Sequence, residues 1–212
     1  MTLLASDLLL GFCTVDLSAV FMDVAKDRLY TLAADDPARR SAQTVLWRAL
    51  HDLAIAASPA LVFTAEEVWQ HHPALLAECE SVHLAAWPER PAEASDEAWE
   101  FLHGVRDVVN AALEPLRAAK ELATTAEAEV TITGPPATVA RLRPYEAELP
   151  ALLIVARVAL AEGAAGELAV AARRTSLTRC ERCWTHRADV ATEGARAGLC
   201  GRCVGVLEAS GR

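Results

Sequence analysis

Cys180-Glu181-Arg182-Cys183 and, after sixteen intervening residues, Cys200-Gly201-Arg202-Cys203 place two C-x2-C pairs near the end of the chain. That spacing is the one expected of a zinc ribbon. Each pair aims two sulfurs at one point from a tight turn, and four thiolates at about 2.3 Å close a tetrahedral shell suited to Zn2+. A closed shell has no open position for a substrate. One structural zinc held by Cys180, Cys183, Cys200 and Cys203 is therefore the expected cofactor, and its binding energy folds a segment too small to fold alone. A dithiol redox pair or unliganded thiols are the competing readings. His186 lies close in sequence, but four cysteines already complete a set. Cys13 and Cys79 stand apart and read as ordinary free thiols.

Charge is distributed around this motif rather than evenly. The chain carries a net −9, yet residues 173–212 contain eight arginines against four acids, leaving 12 basic against 25 acidic residues in the first 172. An acidic body with a small basic end suggests a contact module carried on a scaffold, because a polyanion needs local positive charge to release counterions. Candidate nucleic-acid contacts are then Arg179, Arg182, Arg187 and Arg202, with Trp184 beside the second cysteine. Two readings of Trp184 compete: a cover over the metal turn that supplies the segment's small apolar core, or a platform for an unpaired base. Arg39 and Arg40 join the candidates. They sit in the first turn of a predicted helix, where their charge opposes the helix dipole and makes an external anion attractive.

Upstream, the first 115 or so residues read as helices with chemically marked ends. Asp16-Leu17-Ser18 precedes a stripe of Phe21, Ala25, Leu29 and Leu32. Asp36-Pro37 is a strong helix start, an acceptor at the cap and a ring in the first turn. Leu46, Leu50, Leu53 and Ala57 form the next stripe, ended by Ser58-Pro59. Thr64-Ala65-Glu66-Glu67 fits a capping box with Phe63 and Val68 as its staple, and Pro73 stops that helix. A fourth helix carries Leu102, Val105, Val109, Leu113 and Leu116, with Pro115 expected to kink it. Trp47, Trp69, Trp87 and Trp99 are expected in helix contacts, and His71-His72 at a solvated helix end. Past residue 126 the period becomes alternating: Val130 and Ile132 face one way, Thr131 and Thr133 the other, and Gly134-Pro135-Pro136 turns the chain. The fold class is mainly α, with a helical region over 1–122, a small α+β connector over 123–172 and the four-cysteine ribbon over 173–212.

No run reaches the roughly 18–20 uninterrupted apolar residues of a bilayer span, since Arg157 interrupts even 152–160, so a membrane partner is not expected. The start Met1-Thr2-Leu3-Leu4-Ala5-Ser6-Asp7 lacks the basic region of a secretory signal, which makes the cytoplasm the expected compartment.

Joined in order, these words resemble a known family. Asp16-Leu17-Ser18 with Lys26-Asp27-Arg28-Leu29-Tyr30, Arg39-Arg40-Ser41-Ala42-Gln43-Thr44-Val45-Leu46, Phe63-Thr64-Ala65-Glu66-Glu67-Val68-Trp69, Ser81-Val82-His83-Leu84 with Trp87-Pro88, Val105 to Asn110, Arg117-Ala118-Ala119-Lys120 and the two cysteine pairs resemble the C-terminal part of bacterial isoleucyl-tRNA synthetases. The resemblance implies an anticodon-binding helix bundle, a small connector and a zinc finger that together hold isoleucine tRNA. The family's ATP-using catalytic domain, with its His-Ile-Gly-His and Lys-Met-Ser-Lys-Ser signatures, and its editing domain have no counterpart in these residues. The chain alone is thus expected to be inactive as a ligase, with the catalytic part a possible partner on another chain and Met1–Cys13 an incomplete first helix. After Lys120 the family's Ile-Gly-x-Ser run is replaced by Leu122-Ala123-Thr124-Thr125. The alternative function is a stand-alone zinc-ribbon nucleic-acid-binding or interaction protein.

Overall fold

Residues 3–89, 97–163 and 166–211 are described by a computed structural model, in which the chain divides into two compact units, Met1–Glu93 and Ala94–Arg212. The first unit is helical. It opens with α1 (Leu3–Gly11), passes through Phe12–Met22 with the wider i→i+5 winding of a π-helix, and continues as α2 (Asp23–Thr31) without a break. Over Ser6–Thr31 this run is 26 residues long, with a mean hydropathy of 1.8 in its most apolar window, only 6% of which is buried. By length and composition it could cross a bilayer, so the exclusion drawn from interrupted apolar runs does not hold. A helix is measured by its continuous backbone and average hydropathy, and Asp7, Asp16 and Asp23 do not break it.

The next helix, α3 (Pro37–Ala57), starts where the sequence marks it. The Asp36 carboxylate accepts from the backbone N–H groups of Ala38 at 2.8 Å and Arg39 at 3.4 Å. Its buried residues are Ala42, Ala54 and Ile55 rather than the predicted leucine stripe, and Leu50 is exposed. Helix α4 (Val62–Gln70) begins two residues before Thr64, so Thr64 is not its cap, and Phe63 is 89% exposed and staples nothing. The chain enters α4 through turn bonds from Ala60 and Leu61 to the Ala57 carbonyl, and the Ala65 N–H already donates to the Leu61 carbonyl at 2.8 Å, so the helix is under way before Thr64. Glu66 instead reaches beyond its helix, accepting from the Ser81 hydroxyl at 2.8 Å and the Val82 N–H at 3.1 Å, and within it from the Gln70 amide at 2.7 Å. Pro73 does not only stop a helix; it opens a further one, α5 (Pro73–Glu78). These elements bury Trp69, Leu75, Ala54, Ile55, Ala65 and Val82 together, and the Trp69 indole N–H donates to the Cys79 carbonyl at 2.9 Å. His72, expected in solvent, packs against Trp47 with ring centroids 4.3 Å apart and the planes tilted by 42°.

The second unit is built on a sheet. Helix α6 (Glu97–Ala118) buries Leu102, Val105, Val109 and Leu113, the predicted stripe, and continues past Pro115. Strand β1 (Ala128–Gly134) alternates as predicted, with Ala128, Val130, Ile132 and Gly134 inward. It is followed by α7 (Pro136–Leu142) and α8 (Leu149–Leu153), then β2 (Arg157–Glu162) and β3 (Ala169–Arg174). The order is β2-β1-β3, parallel on one side of β1 and antiparallel on the other, and Glu129 lies opposite Arg157 and Arg173. The α6 stripe shares one core with Val130, Ile132, Leu142, Leu149 and Leu153. The fourth helix, assigned from sequence to the helical region ending at 122, therefore packs with the connector that follows it. Burial of each such side chain contributes about 1.5–3 kcal/mol.

Candidate metal centre and nucleic-acid surface

Beyond β3 the chain forms a finger. Strands β4 (Thr178–Arg179) and β5 (His186–Arg187) pair antiparallel, and the turn between them carries the first two cysteines. That turn is fastened at both ends: the Cys180 N–H donates to the Thr185 carbonyl and the Trp184 N–H to the Cys180 carbonyl, each at 2.9 Å. The second pair comes from a small hairpin, bridged at Val190 and Cys200, and from α9 (Gly201–Ala209), which places Cys203 in its first turn. The Asp189 carboxylate caps this helix by accepting from the Gly201 N–H at 3.0 Å. Gly198 lies at φ +80°, a conformation that favours glycine, with the mobile carboxylate end of Glu181 2.7 Å from where a Cβ would stand.

The outcome is one cluster: the sulfurs of Cys180, Cys183, Cys200 and Cys203 all lie within 4.8 Å of one another. Cys183 Sγ and Cys200 Sγ are 3.9 Å apart, against roughly 3.8 Å for the edge of a tetrahedron with 2.3 Å arms. The donor set therefore fits a metal ion, and the groups around it fit anionic sulfur. The Cys200 N–H donates to Cys180 Sγ at 3.3 Å, Arg182 Nη1 donates to Cys203 Sγ at 3.5 Å, and the Thr185 hydroxyl lies 3.0 Å from Cys183 Sγ. Burial opposes ionisation of Cys180, but backbone N–H groups of Cys183, Cys200 and Arg182 outweigh it and bring the thiol down to about 6. Burial pushes Cys200 up to about 12 and also raises Cys203. A bound cation would replace those protons. Four sulfurs in one cage, three of them buried, favour structural metal chemistry over a single redox pair. His186 is turned elsewhere, with Nδ1 at 2.8 Å from the Leu177 carbonyl.

The surface candidates separate into groups. In the first unit, Arg39 is half-buried and donates to the Leu32 carbonyl at 3.0 Å, so its charge serves the end of α2, whereas Arg40 is exposed. In the finger, Arg179 is exposed on β4, and Arg182 is half-buried against the sulfur cage. Arg187 is half-buried and donates to the Thr185 hydroxyl, and Arg202 is half-buried on α9. Trp184 lies outside the finger's apolar core. It is 69% exposed at φ +61°, with its indole N–H held by the Glu181 carbonyl at 3.0 Å. The finger core is instead Cys180, Val190, Cys200 and Cys203, with Cys183 and Leu199 against it. Sequence reading overlooked Thr185 and Asp189; Asp189 is a polar residue just before an apolar one and signals a cap only once Gly201 is known to start a helix.

Known proteins resemble this chain in sequence. A family model described as the anticodon-binding domain of tRNA ligase covers residues 4–132. Isoleucine–tRNA ligase of Chromobacterium violaceum is 38% identical over 207 residues, covering 95% of this chain and 22% of that protein. The corresponding ligase of Stenotrophomonas maltophilia is 39% identical over 210 residues, with 96% and 22% covered, and that of Nitratidesulfovibrio vulgaris is 40% identical over 218 residues, with 95% and 23%. The chain thus spans less than a quarter of the length of the curated relatives it matches. Because the family model covers residues 4–132, more than half of the 212-residue chain, and runs from the helical unit into the sheet, the chain belongs to the family of tRNA-ligase anticodon-binding domains.

Proposed function

We propose that this chain is the tRNA-binding part of an isoleucine–tRNA ligase, working in the cytoplasm and holding the anticodon end of isoleucine tRNA while a catalytic part outside these residues performs the ATP-dependent aminoacylation. The observation that carries this reading is identity of 38–40% to isoleucine–tRNA ligases along 95–96% of the chain. The cage is read as a structural zinc site, since an all-cysteine tetrahedral set suits Zn2+ and offers no open position. Zinc, when bound, supplies only the cross-link that folds the finger. The residues do the rest: Trp184 presents an exposed ring suited to stacking on an unpaired base, and Arg40, Arg179, Arg187 and Arg202 supply charge for phosphates. Arg39 and Arg182 contribute charge from positions partly committed to the Leu32 carbonyl and the Cys203 sulfur.

The test is the dissociation constant of the zinc-loaded chain for isoleucine tRNA beside a non-cognate tRNA at one fixed salt concentration, repeated across salt. Cognate preference with affinity that falls as salt rises is expected. Equal weak binding to both would move recognition out of this chain. The sequence holds neither a His-Ile-Gly-His nor a Lys-Met-Ser-Lys-Ser segment, and isoleucine activation by the chain alone would overturn the division of labour.

A further inference from the structure

The finger and the sheet have separate apolar cores, one around the cysteines and the other around Val130 and Ile132. Three residues, Thr175, Ser176 and Leu177, lie between the end of β3 and the start of β4, and the bonds at this joint are polar. The Thr175 N–H donates to the Glu127 carbonyl at 2.7 Å, and its hydroxyl donates to Glu129 Oε1 at 2.8 Å. The same hydroxyl oxygen accepts from the Leu177 N–H at 3.1 Å, and the Leu177 carbonyl meets His186 Nδ1 at 2.8 Å. A continuous run of hydrogen bonds thus leads from the central strand to the pair of strands that bears the metal turn. Glu129 is oriented for this. Arg173 grips its other oxygen through Nε at 3.1 Å and Nη2 at 2.6 Å, which leaves Oε1 facing Thr175. The Glu129 side chain is only 12% exposed, against 79% for Arg173.

We propose that Glu129, acting through Thr175, is a positioning residue that fixes the angle of the metal-bearing finger on the sheet and so presents Trp184 and its arginine neighbours to tRNA in one orientation. The part concerning tRNA rests on the function proposed above; the joint itself does not. Shared apolar packing would hold two bodies through many weak contacts, whereas this joint depends on a few directional bonds whose loss frees rotation about three residues.

The experiment compares the zinc-loaded full chain with Thr175→Val and Thr175→Ser, by residual dipolar couplings of backbone amides in a weakly aligned sample and by affinity for isoleucine tRNA. In the unsubstituted chain, couplings from sheet and finger should fit one alignment tensor. Thr175→Val keeps the shape but removes the hydroxyl, so the finger couplings should shrink relative to those of the sheet while zinc content stays the same. A finger correctly oriented about a tenth of the time raises the tRNA dissociation constant about tenfold. Thr175→Ser restores the hydroxyl and should restore both readouts, and Glu129→Gln, which keeps an acceptor but loses the Arg173 pair, should fall between. A single tensor retained in Thr175→Val overturns the joint. Shrunken couplings with unchanged affinity overturn the presenting role. An unsubstituted chain that does not bind tRNA overturns the functional reading, while the couplings still decide the joint.

Discussion

Glu66 accepts three hydrogen bonds, two of which, from Ser81 and Val82, tie α4 to the segment after α5, and those from Gln70 and Ser81 hold its carboxyl below the usual carboxylate range. A carboxylate whose folded value is lowered contributes stability above its unfolded value, roughly pH 4.3, and loses it as pH falls through the lower folded value. Glu66→Gln should therefore lower the thermal midpoint near neutral pH and flatten the acid side of the stability profile, measured by thermal melts between pH 3 and 7. An unchanged profile would mean that these bonds are matched in the unfolded chain. Trp184 gives a second residue-level expectation. Its ring is exposed and outside the finger core, so Trp184→Ala should leave zinc content intact while weakening tRNA binding by about 1–3 kcal/mol. Loss of zinc in that variant would make the ring a structural cover after all.

At the scale of elements, α6 ends in a motif with an unsuited residue. The Glu121 N–H donates to the Leu116 carbonyl at 2.9 Å and the Lys120 N–H to the Arg117 carbonyl at 3.0 Å, the two bonds of a Schellman cap, and Lys120 occupies the left-handed position at φ 59°. Glycine takes that conformation freely, so Lys120→Gly should raise stability by about 0.5–1 kcal/mol, read from urea unfolding. A decrease would show that the lysine side chain does something its exposed position does not suggest. The same scale shows why some elements were legible in the sequence. Asp36-Pro37, the α6 stripe, the alternation of β1 and the two cysteine pairs each state their structure in local chemistry. The entry into α4 and the buried face of α3 do not. Thr64 satisfies a capping pattern, but the turn bonds before it start the helix earlier. The buried face of α3 carries Ala42, Ala54 and Ile55, and which face goes inside depends on the helices around it, which no periodicity within α3 reveals. Trp184 stayed open between two readings for a related reason: position beside a cysteine does not reveal the left-handed turn that leaves the ring exposed.

For the whole molecule, a metal chelator should remove the finger's fold without melting the rest, because the core shared by α6 and the sheet contains none of the cysteines. The expected readout is collapse of amide dispersion for residues 178–209 with retention around Val130 and Ile132. Simultaneous loss of both would mean that the second unit is a single cooperative body. The first unit raises a different matter, since Leu8, Leu10 and Val15 are each more than half exposed on a long apolar helix. Such a surface tends to find cover. The isolated chain should therefore show concentration-dependent mass in sedimentation, and Leu8→Glu with Leu10→Glu should reduce it; a monomer at all concentrations would show that the surface is inert.

The hairpin between the two cysteine pairs closes on its own backbone, with the Ala191 N–H on the Leu199 carbonyl at 3.0 Å and the Gly198 N–H on the Ala191 carbonyl at 2.8 Å. Its tip, Thr192 to Ala195, is exposed and takes no part in the cage. The cage and the tip are consequently independent in length: doubling the loop costs only about 0.6 kcal/mol of closure entropy and stretches no sulfur. That tip is a natural socket, where a foreign peptide or an added domain can be grafted while the finger beneath it keeps its shape.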